Sequence, residues 1–306
     1  MRPVFDWNIG SRKLGLGKRT LIMGVLNVTP DSFSESGLHF DRERALEHAL
    51  KMLQEGADII DIGGESTRPG AKVVAPVATG AKQNQVQPAV SEREELDRVI
   101  PVISALKQKR PDAVISVDTY KAKVARAAVA SGAEIVNDVS GFRWDPQMAR
   151  TLAELKCGVV LMHARGRPEG WKTLPPASDI VVLVKRELRD WAETAVRAGV
   201  KRDRIVLDPG FGFGKNFDEN YPLIARFGEL QQAGFPLLTG TSRKSFIGRT
   251  IGGETGEKNV SPEQRLFGTI ATQTALILKG AHIIRAHDVK ASLEAARVAD
   301  AILQAR

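Results

Sequence analysis

Eight polar side chains recur at one kind of place in this 306-residue chain, at or just beyond the end of a short apolar run. They are Asn27, Asp61, Asp118, Asn137, Asp208, Lys244, Arg285 and His287. Their chemistry divides in two. Asp118, Asn137 and Asp208 present carboxylate and amide groups with no cation nearby in sequence, suited to the amino, ring N–H and carbonyl edge of a planar heterocycle. Arg285, His287, Lys244 and Arg68, which lies in a glycine-rich loop, are cationic donors for phosphate or carboxylate. Asn27 offers a hard oxygen that can join phosphate oxygens on Mg²⁺. The ligand implied has a polar ring at one end and an anion at the other. Taken singly, each residue is ordinary, since an Asp at a strand end is more often a cap or turn former and a lone His a structural one. Taken together, they need a fold that gathers strand ends into one place.

The flanking runs supply that fold. Apolar stretches at 21–26, 59–62, 114–117, 134–136, 159–162, 205–207, 236–238 and 282–284 suit strands buried on both faces, as in a parallel sheet. Helical periodicity follows the first run at Ala45, Leu46, Ala49, Leu50 and Leu53. Ser91 with Glu94 three residues on marks the start of a second helix, which Pro101 is placed to kink. Further helices are predicted at 124–130, ended by Gly132, and at 180–198, 263–278 and 293–302. Eight strands alternating with eight helices predict an α/β fold, a single closed (β/α)8 TIM barrel. The G-x-G-x-x-G signature of an open dinucleotide-binding sheet is missing after the first run. Residues 1–20 are expected to form a short hairpin-like extension closing the barrel bottom, with 21–306 as the barrel. Residues 74–89 show no period and are expected to be a long loop.

Composition narrows the function. With 42% hydrophobic and 26% charged residues, the chain can build a large core. The 44 Lys and Arg against 36 Asp and Glu give +8; most of these charges read as a solvated surface, and the sharper reading is an anionic small-molecule substrate. The charge is spread out and no nucleic-acid motif appears, so no nucleic-acid partner is expected. Cys157 is the single cysteine, which rules out an intramolecular disulfide or a cysteine zinc site, and it is expected to be an inert, partly buried thiol. No apolar stretch is long enough to span a bilayer and the amino terminus lacks a signal-peptide core, so a cytoplasmic protein without membrane contact is expected.

Six blocks then occur in a familiar order. They are MGVLNVTPDSFS at 23–34, GADIIDIGGESTRPGA at 56–71, SVDTYK at 116–121, LDPGFGFGK at 207–215, SRKSFIG at 242–248 and RAHDV at 285–289. Together they resemble dihydropteroate synthase of folate biosynthesis, over nearly the whole chain after Leu21. That family joins para-aminobenzoate to the exocyclic methylene of hydroxymethyl-dihydropterin pyrophosphate, releases pyrophosphate and uses Mg²⁺; its fold is the same barrel. The resemblance implies a pterin site of Asp118, Asn137, Asp208 and Lys244. It implies pyrophosphate contacts from Arg285, His287, Thr67 and Asp61, with Asn27 as the metal residue. It implies a para-aminobenzoate side of Thr67, Arg68, Pro69, Phe213 and Ser245, a catalytic set of Asp208, Lys244 and Arg68, and a homodimer. Two departures stand out: 74–89 lengthens a connection that is short in the family, and Ala286 replaces a larger apolar residue. Two alternatives remain open. A methyltetrahydrofolate methyltransferase shares the Asp/Asn/Asp edge but has no use for SRKS and the Arg285/His287 pair. A non-catalytic pterin-binding paralogue would be expected to have lost pocket residues.

Overall fold

The computed structural model describes residues 2–28, 38–65, 90–255 and 259–305. Strands β1 (Phe5–Asn8) and β2 (Lys13–Leu16) pair antiparallel, Phe5 opposite Leu16. This is the hairpin expected within 1–20. Eight further strands form one parallel sheet: β3 (Leu21–Asn27), β4 (Ile59–Gly63), β5 (Val114–Asp118), β6 (Ile135–Asp138), β7 (Gly158–Met162), β8 (Ile205–Asp208), β9 (Leu238–Thr239) and β10 (Ile283–Ala286). Their order, β8-β7-β6-β5-β4-β3-β10-β9, returns β9 to β8. A parallel bridge between Leu207 and Leu237 closes the ring, with Leu207 N–H donating to the Pro236 carbonyl at 3.0 Å. This seam is thin because Pro236 has no N–H to give a ladder. The result is the expected (β/α)8 barrel.

Around it pack α1 (Leu38–Gln54), α2 (Glu92–Lys109), α3 (Ala122–Ala130), α4 (Met148–Leu155), α5 (Ile180–Arg197), α6 (Asn220–Ala225), α7 (Ser245–Thr255), α8 (Leu266–Leu278) and α9 (Val289–Gln304). Ser91 caps α2 as expected, its Oγ accepting from Glu94 N–H at 3.1 Å, and the helix continues through Pro101. The sequence periodicity did not locate α4, α6 and α7. The first two are only eight and six residues long, too short to show a helical period, and α6 contains Pro222.

Strand alternation sorts the barrel interior into layers, because successive side chains point to opposite faces. At the amino-terminal end Met23, Ile59, Val114, Ile135, Val160, Val206, Leu238 and Ile283 pack together, and Trp7, Ile9 and Leu16 of the hairpin fill the opening below them. Two residues further along, the same inward positions become Asp61, Ser116, Asn137, Asp208 and Arg285. The apolar layer is thus the floor beneath a polar one. Cys157 belongs to the outer core, between sheet and helices; burial pushes its thiol up to about 12, as fits an inert residue.

Candidate active site

The polar layer is bonded across the barrel axis. Arg285 on β10 sends Nε to Asp61 Oδ2 on β4 (2.6 Å) and Nη2 to Asp118 Oδ2 at the end of β5 (2.7 Å). Asn137 Nδ2 on β6 also donates to Asp61 Oδ2, at 3.0 Å. Gly63 makes room for this crossing, since a Cβ there would meet that of Asp118 at 3.3 Å. Asp208 at the end of β8 accepts from Gly210 N–H at 2.7 Å. Lys244, in the turn between β9 and α7, lies 4.0 Å from the centroid of the Phe213 ring. Ser245 opens α7 and is exposed beside it.

Charge states follow from this crowding. Burial pushes Asp118 up to about 7, with Arg285 opposing and Asp61 reinforcing the shift. Burial pushes Asp208 up to about 6 against its bond from Gly210 and the field of Lys244. Burial lowers Lys244 to about 8, helped by Arg285. Burial also disfavours the Arg285 cation, but Asp61 and Asp118 outweigh it, and the guanidinium is held above its ordinary range.

Two features differ from the sequence reading. Asp118 has no cation near it in sequence, but the fold ion-pairs it to Arg285, 167 positions away. Arg285 therefore spans the ring-edge group and the anion group, which are not separate clusters. The sequence points to His287 as a cationic donor. Burial lowers it to about 3, with Arg285 and Arg243 pushing the same way, so it is a neutral imidazole. Its backbone N–H donates to Ser242 Oγ at 3.1 Å and its ring Nδ1 pairs with the same hydroxyl at 3.0 Å, leaving Nε2 for a ligand. Asp61 is fully buried and, among the described residues, touches the anion side only through Arg285. Its Oδ1 has no bonding partner among the described residues.

A cavity of ≈ 550 Å³ opens beside His287, with Asn27, His48, Lys51, Arg243 and Lys290 on its walls. Arg243 takes a left-handed φ of 56°, and Asp288 anchors it at 2.6 and 3.0 Å. Among the described residues no three His, Cys, Asp or Glu side chains cluster as a metal cage. A divalent ion beside Asn27 would therefore draw most of its ligands from phosphate and water, a habit of Mg²⁺. The amide oxygen of Asn27, exposed at the end of β3, fits that need.

Thr67, Arg68, Pro69 and the expected loop 74–89 lie outside the described residues. The chain enters that segment at Glu65, which Lys121 and Tyr120 hold by hydrogen bonds. Sequence reasoning overlooked Ser242, which fixes His287. Among the described residues no helix is long and apolar enough to cross a membrane.

Comparison with known proteins agrees with this fold. A family profile described as pterin binding enzyme matches residues 23–287. The dihydropteroate synthase of Synechocystis sp. is 41% identical over 301 residues, covering 98% of this chain and 93% of the relative. The Xanthomonas albilineans dihydropteroate synthase solved with 4-aminobenzoic acid is 41% identical with a TM-score of 0.82, covering 99% of both chains. The same enzyme solved with 7,8-dihydropteroate is 39% identical with a TM-score of 0.79, covering 98% of this chain and 99% of that one. The chain belongs to the pterin-binding enzyme family, among its dihydropteroate synthases.

Proposed function

We propose that the chain condenses para-aminobenzoate with hydroxymethyl-dihydropterin pyrophosphate, giving dihydropteroate and pyrophosphate. The observation that carries this reading is the polar layer itself. Carboxyl and amide groups from β5, β6 and β8 face one mouth of the barrel beside Lys244 and Arg285, over an apolar floor. Relatives 39% and 41% identical are solved with the product and the amine substrate of this reaction.

The roles follow from the chemistry. Asp208 and Asn137 supply acceptors and donors to the pterin edge, and ionised Asp208 stabilises positive charge spreading into the ring as the carbon–oxygen bond breaks. The electron pair leaves with the pyrophosphate oxygen. The aromatic amine nitrogen, already neutral near pH 7, forms the new bond to the methylene carbon and then gives up a proton to solvent water. Arg285 and the Nε2 side of neutral His287 stabilise the departing anion. Phe213, against Lys244, offers the ring face for para-aminobenzoate, with Ser245 at its carboxylate and Thr67, Arg68 and Pro69 completing that side.

Mg²⁺ is part of the proposal. Asn27 would hold it, and when bound the ion neutralises developing charge on the pyrophosphate. Calorimetry of pyrophosphate binding tests this without turnover. Mg²⁺ should tighten binding to the wild type and do so far less for Asn27→Ala; equal enhancement in both removes Asn27 from the metal site. A homodimer is also proposed, on the exposure of Phe267 (87%) on α8 and Val298 and Ile302 on the adjacent α9. Sedimentation of the wild type and Phe267→Glu tests it; a wild-type monomer overturns it.

The function is tested by mixing both substrates with the protein and following dihydropteroate by mass spectrometry. Product mass equal to the sum of the pterin-methylene and para-aminobenzoate parts is expected. Free hydroxymethyl-dihydropterin alone would mean hydrolysis and would overturn the proposal.

A further inference from the structure

The loop after β8 does more than carry Asp208. Gly210, Gly212 and Gly214 all take positive φ, at 63°, 79° and 68°, so the chain folds back on itself. The fit is tight, since a Cβ on Gly210 would lie 2.1 Å from the His163 carbonyl oxygen. The carbonyls this path turns inward converge on one ammonium. Lys215 Nζ donates to the carbonyls of Gly210 (2.8 Å), His163 (3.2 Å) and Phe213 (3.3 Å). Lys215 is only 7% exposed and, among the described residues, forms no salt bridge. A buried lysine bonded only to neutral carbonyls carries a desolvation cost, offset here by three hydrogen bonds.

Each carbonyl belongs to a residue that touches the site. His163 N–H donates to the Asp208 carbonyl at 2.8 Å, and Gly210 N–H to the Asp208 carboxylate at 2.7 Å. Phe213 carries the ring that faces Lys244 and packs edge-on against Trp171, centroids 5.2 Å apart. We propose that Lys215 is a positioning residue for the condensation: its three N–H donors bind the ends of two loops together and so set the Phe213 ring against the Asp208 carboxylate. The inference rests on the proposed function, because it assigns Phe213 to the aromatic amine and Asp208 to the pterin.

Donor count gives the idea its specificity. An ammonium has three donors for three carbonyls, and a neutral amine has two. Burial lowers Lys215 to about 7; Lys244 and Arg165 push the same way, while Asp208 and Glu219 oppose. As pH rises through that value the tripod loses a donor, and the Phe213 carbonyl, the longest of the three contacts, is the one expected to be released.

The test is steady-state kinetics on Lys215→Met, which has similar length and no donor, and Lys215→Gln, which has two. KM for para-aminobenzoate should rise about tenfold in Lys215→Met, with pterin affinity by calorimetry unchanged within about threefold, and Lys215→Gln should fall between. In a Phe213→Ala background the Lys215 substitution should add no further rise, because the ring it acts through is gone. If Lys215→Met does not fold, Lys215→Gln with and without Phe213→Ala decides the matter. Equal loss toward both substrates, no loss, or additivity with Phe213→Ala overturns the inference. A wild type that makes no dihydropteroate sinks the proposed function instead; a working wild type with an indifferent Lys215 sinks only this inference.

Discussion

Asp208, buried and bonded to Gly210 N–H, is a carboxylate poorly supported by solvent, so its protonation responds to what binds beside it. Its folded value of about 6 lies above the ordinary 3.8. A raised acid stabilises the fold below 3.8, and that contribution is lost as pH rises through about 6. Ligand-free Asp208→Asn should therefore gain stability relative to wild type between these two pH values, by roughly a few degrees in Tm. A flat difference across that window would show that Asp208 does not titrate there. A pterin reverses the preference by donating to the ionised form. Pterin affinity of the wild type should weaken as pH falls through about 6, and Asp208→Asn should bind weakly throughout, by ~1–3 kcal/mol. Arg285→Ala should harm the pyrophosphate ester more than the plain hydroxymethyl pterin. Equal losses, measured by calorimetry, would mean that Arg285 acts only by holding Asp61 and Asp118. At this scale the sequence marks the candidate residues but not their charges. The neutral state of His287 and the pairing of Arg285 with Asp118 depend on neighbours far away in the chain, which no local pattern encodes.

Among the elements, the strands were the most legible, because burial on both faces leaves unbroken apolar runs. The 205–207 run, for example, is β8 less one residue. The short helices α4 and α6 were not placed, and the β8–β9 seam, a single bridge beside Pro236, is too short to leave a periodic pattern. The amino-terminal hairpin makes a sharper prediction. Trp7 is 1% exposed against the barrel floor and donates Nε1–H to the Arg204 carbonyl at 2.8 Å. Trp7→Ala should cost ~3–5 kcal/mol of stability, and Trp7→Phe, which keeps most of the packing and loses the hydrogen bond, ~1–3 kcal/mol. Urea unfolding measures both. At permissive temperature kcat should hardly change, since the chemistry sits at the opposite end of the strands. A large loss of kcat with little loss of stability would mean that the hairpin reaches the site.

For the whole molecule, the barrel accounts for the site as a consequence of one period. Strand residues two apart share a face, so an apolar floor and a polar layer arise from the same eight strands, and the closed ring brings Asp61, Asp118, Asn137, Asp208 and Arg285 together. That convergence is legible in the sequence because every one of these residues lies at or near the end of an apolar run. The loop bearing Thr67 and Arg68 was legible as a motif only. The central claim is a coupling of two substrates, and pyrophosphate release is its most direct readout, measured with dihydropterin pyrophosphate in the presence and absence of para-aminobenzoate. Release should require para-aminobenzoate and equal the dihydropteroate formed, mole for mole. Release at the same rate without the amine, or none with it, would contradict the account.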